Sequence, residues 1–302
     1  MSGPAATPAT PATPASAALS PEEITARSGS NFLSGFLCLD AARRRGMTGI
    51  YAFCRVADDA VDDAPDVATG RRDLAFWRAE LAAAAAGTAA TPVGRALQQA
   101  MRDFEVRRAP LDELLDGMAM DLEPQPFADE AALRGYCYRV ASAVGLACLP
   151  VLGASGPAAE RFADALGKAL QLTNILRDLR GDAQIGRIYV PVSWREACGV
   201  DPAWLRGDGP PSAYADDGPL HRLGTCFVAA AEREFATARA ALRELPRAQR
   251  RALVPARIMG AVYRAMLDRL AARRGDLCGE RVRVPKLRKL WLGVRVLAGV
   301  QW

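Results

Sequence analysis

The sequence predicts an all-α protein built as one helical bundle, and three observations carry that prediction. From Pro21 onward Ala, Leu, Arg and Glu dominate, with Pro or Gly at the breaks, which is the composition of helices and their ends. No stretch alternates apolar and polar residues between hairpin turns. The breaks are short beside the apolar-periodic segments they separate, as between antiparallel helical neighbours, and no internal domain boundary is visible.

Taken in order, the opening MSGPAATPATPATPASAALS has neither a basic start nor a continuous apolar centre. It is read as a disordered Ala/Pro/Thr-rich tail over residues 1–20, followed by one all-α domain over 21–302. Helices are expected from Asp40 to Asp63, Thr69 to Ala86, Pro92 to Phe104, Pro110 to Glu123, Asp129 to Leu152 and Pro157 to Arg180. Further helices are expected from Pro219 to Leu245, Pro255 to Arg274 and Pro285 to Val300. Between Gly199 and Gly218 the chain is rich in Pro, Gly and Asp and reads as a loop.

With 302 residues, 50% of them hydrophobic, the chain buries a sizeable core. No uninterrupted apolar run approaches the roughly 20 residues needed to span a bilayer. Seven cysteines without a CxxC pair point to reduced thiols, and one histidine, His221, argues against a Ser-His-Asp triad or a His-rich zinc site. The net charge of +5 favours anionic partners, but the basic residues are dispersed, which suits phosphorylated small molecules better than nucleic acid.

Chemistry concentrates in two stretches. In QLTNILRDLRGDAQIGRIYVP, counting by fours from Asn174 gives Asp178 and Asp182, with Gln171 three residues earlier, so a continued helix aligns all four on one side. In GIYAFCRVADDAVDD, Tyr51, Arg55, Asp58 and Asp62 share a side, while Asp59 and Asp63 lie about 100° round the helix. Like charges one turn apart repel. One reading is a helix-end acidic cluster balanced by Arg55; the other sets the two stretches face to face as a cage of hard oxygen ligands, the donor set of magnesium, with Arg55 and Arg177 as phosphate donors.

The chain from about Gly29 onward resembles the squalene/phytoene synthase family, head-to-head prenyl transferases of the all-α isoprenoid synthase fold with a central active-site cavity. YAFCRVADDAVDD stands at the first Asp-rich position of that family and QLTNILRDLRGDAQIGRIYVP at the second. Within the family, LLDGMAMDLEPQPFADEAALRGYCYRVASAVGL and VPKLRKLWLGVRVL resemble bacterial presqualene diphosphate synthases of hopanoid biosynthesis more than phytoene synthases.

The resemblance implies that Asp58, Asp62, Asn174, Asp178 and Asp182 hold Mg2+, that Arg55, Arg177, Arg187, Asn174, Gln171 and Asn31 contact diphosphate, and that Tyr51 and Tyr136 line the reaction centre. Asn31, in SGSNF, stands where the family usually has serine. The implied reaction joins two farnesyl diphosphates into presqualene diphosphate with no need for NADPH; phytoene, dehydrosqualene or squalene synthesis, or a catalytically inactive scaffold, are the alternatives. Ionising an allylic diphosphate leaves a carbocation and a highly charged leaving group, which explains acids that bind metal beside arginines. The cation calls for a dry, apolar pocket. Met118 and Met120, beside Asp116 and Asp121, are read either as part of that wall or as plain core.

The C-terminal VRVPKLRKLWLGVRVLAGVQW combines Lys286, Arg288, Lys289 and Arg295 with Trp291, Leu292, Val294 and Leu297. It is read either as a peripheral contact with an anionic membrane surface or as the last helix of the bundle with snorkelling basic residues. The expected location is cytoplasmic, with that contact on the cytoplasmic membrane face.

Overall fold

A computed structural model describes residues 13–27 and 39–300. Asn31 and Cys38 lie outside the described residues, as do residues 1–12. The expected disordered tail ends earlier than residue 20: Ala15–Ala18 form a 3-10 turn with Ala17 buried. Ser20 then starts α1 (Pro21–Arg27) through a capping box, its Oγ accepting from the Glu23 N–H at 3.2 Å while Glu23 Oε2 accepts from the Ser20 N–H at 2.8 Å. Ser-Pro-Glu-Glu is a capping signature that the tail's low complexity disguises.

The long helices follow the sequence closely because their caps are written in it. They are α2 (Ala41–Asp62), α3 (Val67–Ala86), α4 (Pro92–Phe104) and α5 (Ala109–Leu122). Asp40, Asp66 and Thr91 accept hydrogen bonds from the N–H groups of Arg43, Thr69 and Gly94, which satisfies donors that a helix start leaves orphaned. Buried Glu80 of α3 braces the start of α4, its Oε1 accepting from the N–H groups of Ala90 and Thr91 and from the Thr91 hydroxyl at 2.6–2.9 Å.

The expected helix from Asp129 is α6 (Glu130–Leu152), capped by Asp129 and interrupted over Tyr138–Ser142 by one π-helical turn. It is long and apolar enough to cross a membrane by composition, although polar residues interrupt its apolar run, and more than half of its most apolar stretch is buried among its neighbours in the bundle. The helix α7 (Pro157–Gln184) extends one turn beyond its expected end at Arg180 and so carries Asp182 on regular helix.

The remainder comprises α8 (Val192–Cys198), α9 (Pro219–Glu244), α10 (Arg247–Ala252), α11 (Val254–Ala271) and α12 (Lys286–Leu297). The expected loop over 199–218 contains two 3-10 turns, Pro202–Arg206 and Pro211–Tyr214. Among the described residues there are no strands. The helix α7 packs along α9 on one side and against α6 on the other, and α6 also packs on α2 and α5. This arrangement leaves a space between α2 and α7.

Candidate active site

That space is an apolar cavity of about 270 Å³. Met47, Ile50, Tyr51 and Cys54 of α2, Val140 to Leu152 of α6, Phe162 to Asn174 of α7 and Leu253 to Tyr263 around α11 line it. Along α7 the lining runs over thirteen residues, about 18 Å of helix, so the cavity is long and narrow. Its polar lining is mainly Gln171, Asn174 and the two tyrosines, Tyr51 and Tyr263. One turn beyond Cys54 on α2 comes Asp58, and one turn beyond Asn174 on α7 comes Asp178. Both helices therefore run through the apolar wall first and reach their carboxylates just past it, so the two acidic turns share one end of the cavity.

Arginines tie this end together. Arg187, just after α7, donates to Asp62 at the end of α2 at 2.6 Å and so bridges the two stretches. Arg55 pairs with Asp58 at 3.0 Å and with Asp59 at 2.6 Å. Asp178 accepts from Arg177 Nε at 2.9 Å and from Arg281 Nε and Nη2 at 2.7 and 2.9 Å. Among the described residues Asp182 and Asp121 have no ion pair.

The protonation of the acids follows this division. Burial, followed by repulsion from Asp178, pushes Asp182 up to about 7, and burial with Asp62 nearby pushes Asp58 up to about 6. Burial raises Asp178 too, but hydrogen bonds from Arg177 and Arg281 outweigh it and hold that carboxyl below the usual range. Asp121, from the last turn of α5, is raised mainly by burial and feels the charge of Asp62; it in turn raises Asp58 and Asp182.

The squalene/phytoene synthase family model matches residues 25–288, which include both acidic turns and all the helices that line the cavity. The chain belongs to the squalene/phytoene synthase family. Family members are prenyl transferases that join prenyl diphosphates head to head. The presqualene diphosphate synthase of Zymomonas mobilis is 36% identical over 92% of each chain, and that of Rhodopseudomonas palustris is 35% identical over 81% of this chain and 85% of its own. A dehydrosqualene synthase crystal structure superimposes with a TM-score of 0.78 at 26% identity, covering 92% of this chain and 94% of that one. The squalene synthase of Alicyclobacillus acidocaldarius gives 0.71 at 28% identity over 84% and 92%.

The donor set of this squalene/phytoene synthase relative suits a hard divalent cation. Every candidate ligand is an oxygen, and the buried Asn174 Oδ1, at the polar end of the cavity, has no hydrogen-bond partner. Among the described residues no three acidic, His or Cys side chains converge on one point as a ready-made cation cage. Sites completed by substrate phosphates and water need only one or two carboxylates per ion.

Tyr51 lines the cavity. Tyr136 does not. It is buried beside the acids, donating its hydroxyl to Asp121 at 2.9 Å and stacking on Tyr189 with ring centroids 5.1 Å apart, because its position on α6 faces α5 one turn before Val140 reaches the cavity. Tyr189 donates to the other oxygen of Asp121 at 2.8 Å. Asp121 and Tyr189 stand beside the two acidic turns with no site signal in the sequence. Asp121 was visible only as an acid closing an apolar helix, and Tyr189 only as part of the IYVP end of the second motif. Arg281 has no local signal, since it reaches Asp178 from a loop 103 residues away. Arg55 pairs with Asp58 and Asp59, the acids of its own helix. Met118 is core; Met120 lies half-buried beside Arg139, whose Nη1 is 3.5 Å from its sulfur.

The raised carboxyls give a pH prediction. A carboxyl raised in the folded state binds its proton more tightly there than when unfolded, so its stabilising contribution is complete below the unfolded value and is lost as pH rises through about 6 to 7. The melting temperature of the metal-free protein is expected to fall by this contribution between roughly pH 4 and 7. Asp182→Asn should flatten that fall, and an unchanged slope in the variant would contradict the assignment.

Proposed function

We propose that this protein is a presqualene diphosphate synthase, condensing two farnesyl diphosphates head to head and releasing one diphosphate. The observation that carries the reading is the shared end of the cavity, where two acidic turns and their arginines meet a long apolar space. Its similarity to two presqualene diphosphate synthases, over 92% and 81% of the chain, supports the product.

In this reading the farnesyl chains lie along Ile50, Val144, Leu166 and Met259, and the diphosphates sit at the acidic end. Arg55, Arg177 and Arg187 turn from carboxylates to phosphate oxygens, where their paired N–H groups offset the charge that develops as the allylic C–O bond breaks. Asp58, Asp62, Asn174, Asp178 and Asp182 would hold Mg2+, which supplies further charge neutralisation to the leaving diphosphate when bound. Gln171 donates beside them. The apolar wall excludes water, so the cation meets the double bond of the second chain. Closing the cyclopropane releases one proton. No reductant is consumed at this stage, so NADPH has no role. The protein works in the cytoplasm, and because substrates and product carry long apolar chains, a peripheral contact with the cytoplasmic membrane face suits the reaction.

The test is product identification after incubating purified protein with labelled farnesyl diphosphate, with and without Mg2+ and with and without NADPH. Presqualene diphosphate as the main product, dependent on Mg2+ and indifferent to NADPH, is expected. Squalene or dehydrosqualene as the main product would reject the assignment, and turnover only of geranylgeranyl diphosphate would move it to phytoene synthesis.

A further inference from the structure

We infer that α12 is a docking helix for the surface of an anionic phospholipid bilayer. The inference extends the proposed location and is independent of the reaction catalysed. A last helix of a soluble bundle should turn its apolar stripe inward. Here the reverse holds: Leu287, Leu290, Trp291, Val294 and Leu297 are 53–81% exposed. Their spacing of three and four residues puts them within an arc of about 120°. The helix is held to the bundle from its other side, where Val296 is buried and Leu292 packs on the core.

Charge identifies the occupant. From Arg281 to the end of the described chain there are six basic residues and no acid. Lys286 flanks the apolar arc on one edge and Arg288 and Arg295 on the other, all exposed. Arg295 sits over the Trp291 ring at 4.6 Å, which holds an indole and a cation side by side, as at a headgroup boundary. A cationic helix with an exposed apolar face fits a negatively charged interface better than a second copy of itself, which would set like charges together. Arg281 holds Asp178, and α12 begins five residues later, within about 17 Å of chain. Docking therefore places the acidic end of the cavity close to the lipid surface.

The experiment is vesicle flotation of the full chain with phosphatidylglycerol/phosphatidylcholine vesicles and with pure phosphatidylcholine. Binding to the anionic vesicles should be about ten-fold stronger or more and should weaken with salt. The double substitution Leu290→Glu with Trp291→Glu, and separately Lys286→Glu with Arg288→Glu, should each lower it by about ten-fold or more. All four side chains are exposed, so an unchanged circular dichroism melt is expected, and activity on detergent-dispersed farnesyl diphosphate is read separately. Loss of binding with activity retained supports docking, and binding by an inactive protein leaves it standing. No binding by the wild type, binding unaltered by both variants, or a stable dimer that the Leu290/Trp291 variant dissolves would overturn it.

Discussion

Asp58→Asn lowers the rate of diphosphate release by about 10²- to 10³-fold while leaving the fold as stable as before or more so; the loss is of the size found when one group that stabilises developing charge is removed. The two halves of this expectation come from the same site. Asp58 stands near Asp62 and Asp121, and burial and these neighbours push its carboxyl up to about 6, so its ionised form is disfavoured there. Amidation removes repulsion and keeps the shape. It also removes one of the oxygen charges by which the site would neutralise a diphosphate. Asp178→Asn should show a loss of turnover of similar size with a different stability signature, since it deprives Arg177 and Arg281 of their shared anion. Turnover of labelled farnesyl diphosphate beside thermal unfolding of each variant checks both. Wild-type turnover in either variant would remove the catalytic reading and favour a scaffold.

Gly167→Ala is expected to destabilise the protein by about 3 kcal/mol, at the upper end of overpacking costs. A β-carbon at Gly167 would lie 2.5 Å from Ser142 N and Cα and 2.8 Å from the Ala141 carbonyl carbon, all backbone. These atoms belong to the π turn of α6, which is pinned to α7 by the Ser142 hydroxyl donating to the Asp164 carbonyl at 2.7 Å. Neither helix can retreat without opening the cavity that both line. A drop in melting temperature on the order of 5–10 °C should result. Gly135→Ala is the control: α6, the other helix of this crossing, has open space there, so the substitution should gain about 0.5–1 kcal/mol from helix propensity. Equal melting temperatures for the two variants would contradict the close crossing.

The helices were legible because their signals are local. Asp40, Asp129 and the Pro residues at positions 92, 157 and 219 mark starts, and apolar periodicity marks the runs between them. The misses were also local in origin. The π turn of α6 leaves no trace in periodicity read at 3.6 residues, and the short α8 and α10 hold too few residues to show a period. The site was legible as two stripes of oxygen ligands, since each lies on a single helix. Its remaining parts join distant residues: Asp121 to Tyr136 and Tyr189, Arg187 to Asp62 and Arg281 to Asp178.

The sequence by itself determined the all-α class, the long helices and which face of α2 and of α7 carries acids, because a residue's place on a helix depends only on counting along the chain. Tertiary structure alone decided that both acidic turns reach the same end of one cavity, that Asp121 belongs with them, that Tyr136 serves the acids rather than the apolar wall, and that the apolar face of α12 points outward. Each of these depends on how helices far apart in sequence cross, and crossing is set by close contacts such as Gly167 on Ser142, which no local pattern encodes.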